Sequence, residues 1–252
     1  MMTILANHPL LLLLFSLVVL WLAARLGLHL RRSRGESKLV ESEDFDLVLG
    51  ATLTLLGLII GFTFSMALNR YDQRKNYEEA EANAIGTEYV RADLLPPAEA
   101  SKVRSLLREY TDQRILYYTA RKPERLRQVR VNTTQLEANM WSAVTPVAAQ
   151  RDSISALILS GMNDTINSEG YTQAAWINRI PVAAWILLLS ISFFSNMLVG
   201  YRESKPSVLL LVLPLAISIS FFLIADIDSP RSGVIRVAPL NLESLADSLR
   251  PH

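Results

Sequence analysis

The side chains that could carry out chemistry are few, and they form no recognisable reactive set. Cysteine is absent, which excludes thiolate zinc sites, disulfides and a cysteine nucleophile. The 3 histidines, His8, His29 and His252, do not have the spacing of metal ligands. The sequence contains no glycine-rich phosphate-binding loop and no G-x-S-x-G segment. We therefore predict a protein that is not an enzyme and whose residue types demand no cofactor.

Two charged clusters lie outside the apolar segments. Glu78 and Glu79 lie on an alanine-rich helical segment, where we expect solvated charges. The run RKPERLRQVR, at 121–130, could contact anionic lipid, nucleic acid or a permeating anion, or could be a solvated helix start. Because the net charge of the chain is only +1, we expect no nucleic-acid partner.

The elements that must position these residues are mostly apolar. Hydrophobic residues make up 50% of the 252-residue chain, and they are clustered. A membrane-spanning helix needs about 20 mostly apolar residues. Four segments meet this length: Pro9–Leu30, Leu47–Leu68, Ile180–Val199 and Val208–Ala225. The sequence predicts an all-α membrane protein with four transmembrane helices.

A polar insert, Asn69–Arg179, separates the second and third predicted spans. Its apolar residues recur at three- and four-residue steps, which predicts helices and almost no sheet. Pro97 suits the first turn of a second insert helix, and a third helix is expected over Glu124–Val144. Pro146 is expected to open a fourth helix, which Gly170 ends.

This order predicts three regions. Residues 1–68 hold the first two transmembrane helices and their loop, 69–179 form the helical extramembrane domain, and 180–252 hold the last two spans with a short tail. Basic residues flank both ends of the spans, so the positive-inside rule leaves the side of the helical domain open.

The second span presents two kinds of side chain at helical spacing. Large apolar residues, here called the apolar stripe, recur at Leu58, Phe62 and Met66. Small residues, here called the small-residue ridge, recur at Gly57, Gly61 and Ser65. Such ridges let helices approach closely in lipid. If several copies pack through the ridge, the apolar stripe can form a pore neck that gates by dewetting. The alternative is an ordinary packed membrane helix.

No proline interrupts the chain where this span meets water. Arg70, Tyr71, Asp72 and Arg74 follow the apolar segment directly. Tyrosine and basic residues are expected at the boundary of any membrane helix. A passage that continues from the membrane into a vestibule needs lining helices that stay rigid across the boundary. We therefore interpret these four residues as candidates for a pore mouth or vestibule.

Two segments resemble the bestrophin family. GFTFSMALNRYDQRK, following LLG, is similar to the pore-lining second helix of bestrophins. FLIADIDSPRSGVIRV, at Phe222–Val237, resembles the segment after their last membrane helix. The similarity is closer to a bacterial family of bestrophin-like four-span proteins that share the same order of elements over most of the chain.

The resemblance implies a homo-oligomeric ion channel, a pentamer as in bestrophins, that lies in the lipid bilayer and conducts inorganic anions such as chloride. It implies a neck at Leu58, Phe62 and Met66, and a calcium site in the segment that holds Asp226 and Asp228. It implies a multi-pass protein of the cell inner (plasma) membrane. A non-conducting scaffold or sensor, whose helical domain binds a partner, remains the alternative.

Overall fold

The computed structural model describes residues 8–34, 43–150, 153–203, 205 and 207–250, and over these residues it contains helices and no strand. The longer helices are α1 (Pro9–Arg34), α2 (Glu43–Arg91), α3 (Pro97–Thr119), α4 (Pro123–Val144), α5 (Ser153–Ile177), α6 (Val182–Arg202), α7 (Val212–Asp228) and α8 (Leu240–Ser248). Short 3₁₀ segments cover Ala92–Leu94, Thr145–Gln150 and Val208–Leu211. The predicted all-α class is confirmed.

The chain divides into two compact units. The first contains Met1–Tyr71 and Arg179–Arg236, and the second contains Asp72–Asn178 and Val237–His252. The C-terminal segment after Arg236 therefore belongs to the unit that contains most of the polar insert.

Helix α2 is a single element of 49 residues. At 1.5 Å per residue it is about 74 Å long, more than twice the thickness of a bilayer's hydrocarbon core. It continues without interruption from its apolar half into its charged half because no proline or C-terminal glycine cap occurs at the boundary.

Three helical stretches of the described chain are long and apolar enough to cross a membrane: Pro9–Ser33, Glu43–Leu94 and Ser153–Arg202. The predicted fourth span corresponds to α7, which has 17 residues and follows a 3₁₀ segment. A helix of that length is about 26 Å long, slightly shorter than the hydrocarbon core. The four-span count is therefore a prediction that the helix lengths do not confirm.

The first unit has an apolar core formed by α1, α2, α6 and α7. The Trp185 and Phe221 rings meet edge to face, with centroids 6.2 Å apart. Helices α1 and α6 approach so closely that a Cβ added to Gly27 would overlap the backbone at Met197, and one added to Gly200 would overlap the backbone at Ala24. Glycine is required at this crossing because any side chain would push the two backbones apart.

The second unit is built from the charged half of α2 together with α3, α4, α5 and α8. Pro97 and Pro123 open α3 and α4 as first-turn prolines, as predicted for Pro97. The predicted helix start at Pro146 is wrong, because this residue lies in the 3₁₀ segment and α5 begins at Ser153. Gly170 lies inside α5, which ends at Ile177. A single glycine therefore did not stop this helix.

Candidate functional site

The apolar half of α2 has two different faces. Leu56, Thr63 and Ala67 are buried and, with Ile59 and Ile60, pack toward the first unit's core. These positions follow the three- and four-residue spacing of a helix face that packs on a core. The apolar stripe lies on the other side: Leu58 is 52% exposed, Phe62 65% and Met66 40%.

The small-residue ridge also lies on the uncovered side. No described atom comes within 4 Å of a Cβ placed on Gly57 or Gly61, and Ser65 is exposed. The close approach that small residues permit is therefore realised at Gly27 and Gly200, whereas the ridge on α2 has no partner within the described part of its own chain. Packing through this ridge remains a prediction about a second copy.

The four candidate mouth residues have different environments. Tyr71 is half-buried against the first unit's core, and Asp72 is exposed. Arg74 is buried, and its guanidinium donates to the backbone carbonyls of Ala175 at 3.2 Å and Asn178 at 3.4 Å. Cations favour the C-terminal carbonyls of a helix, so Arg74 stabilises the end of α5 inside the second unit.

Arg70 lies one turn after Met66, and its Nη2 is 3.7 Å from the Met66 Sδ. Its Nη1 is 3.7 Å from Oδ1 of Asp228 at the end of α7. Asp228 also accepts hydrogen bonds from Arg179 Nε at 3.2 Å and from the backbone N–H of Ile180. We call Arg70, Asp228 and Arg179 the boundary cluster. The sequence alone did not indicate that the chain would join these three residues.

The two aspartates proposed from the resemblance as calcium ligands have other partners. Asp226 accepts the backbone N–H groups of Val234 at 2.7 Å and Ile235 at 2.8 Å, which closes the turn after α7. Calcium requires six to eight oxygen ligands. In the described residues, no group of three or more His, Cys, Asp or Glu side chains is placed to hold a metal ion. Two carboxylates that already bind other groups are too few for calcium, so this donor set does not fit the ion.

A buried charge network connects the helices of the second unit. Arg114 on α3 forms an ion pair with Glu81 on α2, and both side chains are almost completely buried. Thr172 donates to Glu81 at 3.0 Å, and Arg114 lies 3.4 Å from Glu169. Glu137 accepts from the Tyr110 hydroxyl at 3.4 Å. The one sign of this network in the sequence was Arg114, an arginine on the otherwise apolar face of α3.

Burial dominates the ionisation of this network. Desolvation, reinforced by the neighbouring Glu169 carboxylate and opposed by Arg114, raises the pKa of Glu137 to about 7. Desolvation also raises the pKa of Tyr110 well above its usual value. Glu137 therefore changes its charge near neutral pH.

The buried carboxylate of Glu78 binds the N-terminus of the C-terminal helix, α8. Glu78 accepts the backbone N–H of Leu242 at 2.9 Å and the side-chain amide of Asn241 at 2.6 Å, at the N-terminus of α8. A carboxylate at this position satisfies free N–H groups and complements the helix dipole. The prediction that Glu78 is solvated was wrong, whereas Glu79 is exposed as predicted.

Comparison with known proteins identifies the fold and the family. Solved structures of a bacterial bestrophin homologue from Klebsiella pneumoniae have the same fold. One single-substitution variant gives a TM-score of 0.65 at 13% identity, covering 94% of this chain and 97% of its own. A second gives 0.64 at 15% identity with the same coverage. No curated protein matches in sequence.

The molecule is thus a helical membrane protein with the bestrophin fold. The sequence model of the Bestrophin-like domain matches residues 10–242, so the chain belongs to the Bestrophin-like family. The predicted resemblance is confirmed.

Proposed function

We propose that this chain forms a homo-oligomeric ion channel, pentameric and anion-conducting, in the cell inner membrane. The observation that carries the proposal is the uncovered face of α2, where the apolar stripe and the small-residue ridge lie side by side. Membership of the Bestrophin-like family supports transport rather than catalysis.

A second copy is the neighbour that best suits this face. Glycines on a lipid-facing surface gain nothing, whereas at a helix contact they allow backbones to approach closely. When neighbouring helices pack through Gly57 and Gly61, the bulkier Leu58, Phe62 and Met66 are directed toward the axis that the copies share. A ring of such side chains forms a hydrophobic constriction that controls ion flow by dewetting.

Anion conduction is favoured by the charge that follows the stripe. Arg70 lies one turn beyond Met66, so each copy would place a guanidinium at the end of the constriction. A ring of like charges raises the local concentration of ions of the opposite sign.

The test is ion flux from vesicles that contain the purified protein. Replacing the apolar stripe by alanine, as L58A/F62A/M66A, should raise the flux because a wider and less bulky neck stays wet. The matched control is I186A/L187A/F194A, which removes exposed apolar side chains of similar size from α6. This control should leave the flux unchanged.

The scaffold or sensor alternative makes a different prediction. It expects no flux from the wild-type protein even when intact oligomers are present, and the stripe variant should then change stability alone. Equal effects of the stripe variant and the α6 control would also contradict a role for the stripe as a neck.

A further inference from the structure

Arg70 has hydrogen-bonding capacity that its own chain does not use. An arginine guanidinium has five N–H donors. The Arg70 Nη1 is enclosed, yet no acceptor within the described residues lies at hydrogen-bond distance from it. Its Nη2 contacts only the Met66 sulfur among the described partners, and a thioether is a weak acceptor.

The nearest carboxylate does not satisfy these donors. Asp228 Oδ1 lies 3.7 Å from Arg70 Nη1, which is close enough for electrostatic attraction and too long for a hydrogen bond. The same carboxylate already accepts from Arg179 and from the backbone of Ile180. Asp228 therefore holds the Arg70 guanidinium in place electrostatically and leaves its donors available.

The boundary cluster retains a positive charge. Arg70 and Arg179 share one buried carboxylate, so these three groups leave one positive charge in excess. The Arg70 side chain is 16% exposed although its Nη1 is enclosed, so a small ligand reaches the guanidinium through its other N–H donors. Partly desolvated guanidinium groups form strong, charge-assisted hydrogen bonds with anions.

We propose that Arg70 is a binding site for small inorganic anions at the end of the apolar stripe, and that Asp228 is the residue that positions it. The inference rests on the proposed channel function for its role in permeation, although binding itself does not require conduction. Asp228 acts through Arg70, because its carboxylate fixes the position of the guanidinium.

Binding is tested first, without any flux. Purified full-length protein is heated in potassium chloride and in potassium gluconate at equal ionic strength. Chloride should raise the Tm of the wild type, since a ligand that binds only the folded state stabilises it. The chloride effect should disappear in Arg70→Gln. It should persist in Arg202→Gln, which removes an exposed arginine that pairs with Asp46.

Selectivity is tested second, by the reversal potential under a potassium chloride gradient. Asp228→Asn should lower the chloride-to-potassium permeability ratio, because its amide no longer holds the Arg70 guanidinium in place. Arg70→Gln should lower the ratio. The double variant should match Arg70→Gln, because Asp228 then has no guanidinium to position. The control is Asp226→Asn, whose carboxylate is equally buried and binds backbone N–H groups.

The outcomes separate this inference from the proposed function. If the wild type passes no ions yet shows the chloride effect on Tm through Arg70, the channel proposal fails and the anion site stands. If chloride stabilises the wild type and Arg70→Gln equally, the site is wrong. If Asp228→Asn changes the permeability ratio equally with and without Arg70, its role as a positioning residue is wrong.

Discussion

Buried positions recur along α2 from Leu56 to Glu88, whereas the opposite face of its apolar half has no described neighbour. The covered face also changes chemistry along the helix: it buries Leu56, Thr63 and Ala67 in the first unit, and Arg74, Glu78 and Glu81 in the second. The three buried charges Arg74, Glu78 and Glu81 each have a hydrogen-bonding or ionic partner. The covered face is therefore packed within one chain, and the uncovered face is left to lipid or to another copy of the chain.

The largest effect should come from the charged part of the covered face. Arg114→Leu leaves the Glu81 carboxylate buried without its cation, and breaking such a pair costs about 3 to 5 kcal/mol. The measurement is the free energy of unfolding in detergent. Arg108→Leu, at a half-buried position on the same helix, should cost much less. Equal losses would show that the Arg114 pair is not what stabilises this unit.

The apolar part of the covered face should respond nearly as strongly. Leu56→Ala removes a side chain that is 3% exposed and should cost about 2 to 5 kcal/mol. Phe62→Ala, on the uncovered face, should leave both the stability of the chain and the oligomer mass almost unchanged. Thermal unfolding and light scattering of the same samples measure both effects. A large loss of monomer stability from Phe62→Ala would contradict the contrast between the faces.

Glycine substitutions sharpen the same comparison. Gly200→Ala would force α1 and α6 apart, and overpacking of this kind costs about 1 to 3 kcal/mol. Gly61→Ala meets no described atom, so it should leave monomer stability intact and alter the subunit contact. The observables are the Tm and the oligomer mass. If Gly61→Leu leaves the oligomer mass unchanged, the small-residue ridge does not form the subunit contact.

The smallest expected effect is pH-dependent. The pKa of Glu137 is raised to about 7 in the folded protein, from a usual value of 4.5, so the folded state binds the proton more tightly. The stabilisation is complete below about pH 4.5 and is lost as the pH rises toward 7. Glu137→Gln should flatten this fall in stability. Glu109→Gln, an exposed acid on α3, should not.

Much of the fold could be predicted from local sequence, since its causes are local. The absence of proline predicted that α2 continues past the boundary, and Pro97 predicted the start of α3. The burial of Glu78 and Glu81 could not be predicted, because their partners come from residues far along the chain. The arginine on the apolar face of α3 was the one local sign of a buried pair.

The candidate site was predictable in part. Spacing along one helix was enough to place the apolar stripe and the ridge, because side-chain direction follows from helical periodicity alone. Spacing could not show that Arg74 turns inward to the end of α5 while Arg70 faces Asp228, because both depend on where other helices end. Spacing also could not show what Asp226 and Asp228 bind, because their backbone and arginine partners are not adjacent in sequence.

The most direct test uses the absence of native cysteine. Phe62→Cys and Ile186→Cys each introduce a single thiol at an exposed position, one on the uncovered face of α2 and the other on α6. The proteins are reconstituted, and flux is recorded before and after a charged, water-soluble thiol reagent. The account predicts that modification at position 62 changes the flux and that modification at position 186 does not. Unchanged flux after confirmed labelling at position 62 would contradict a passage lined by this face.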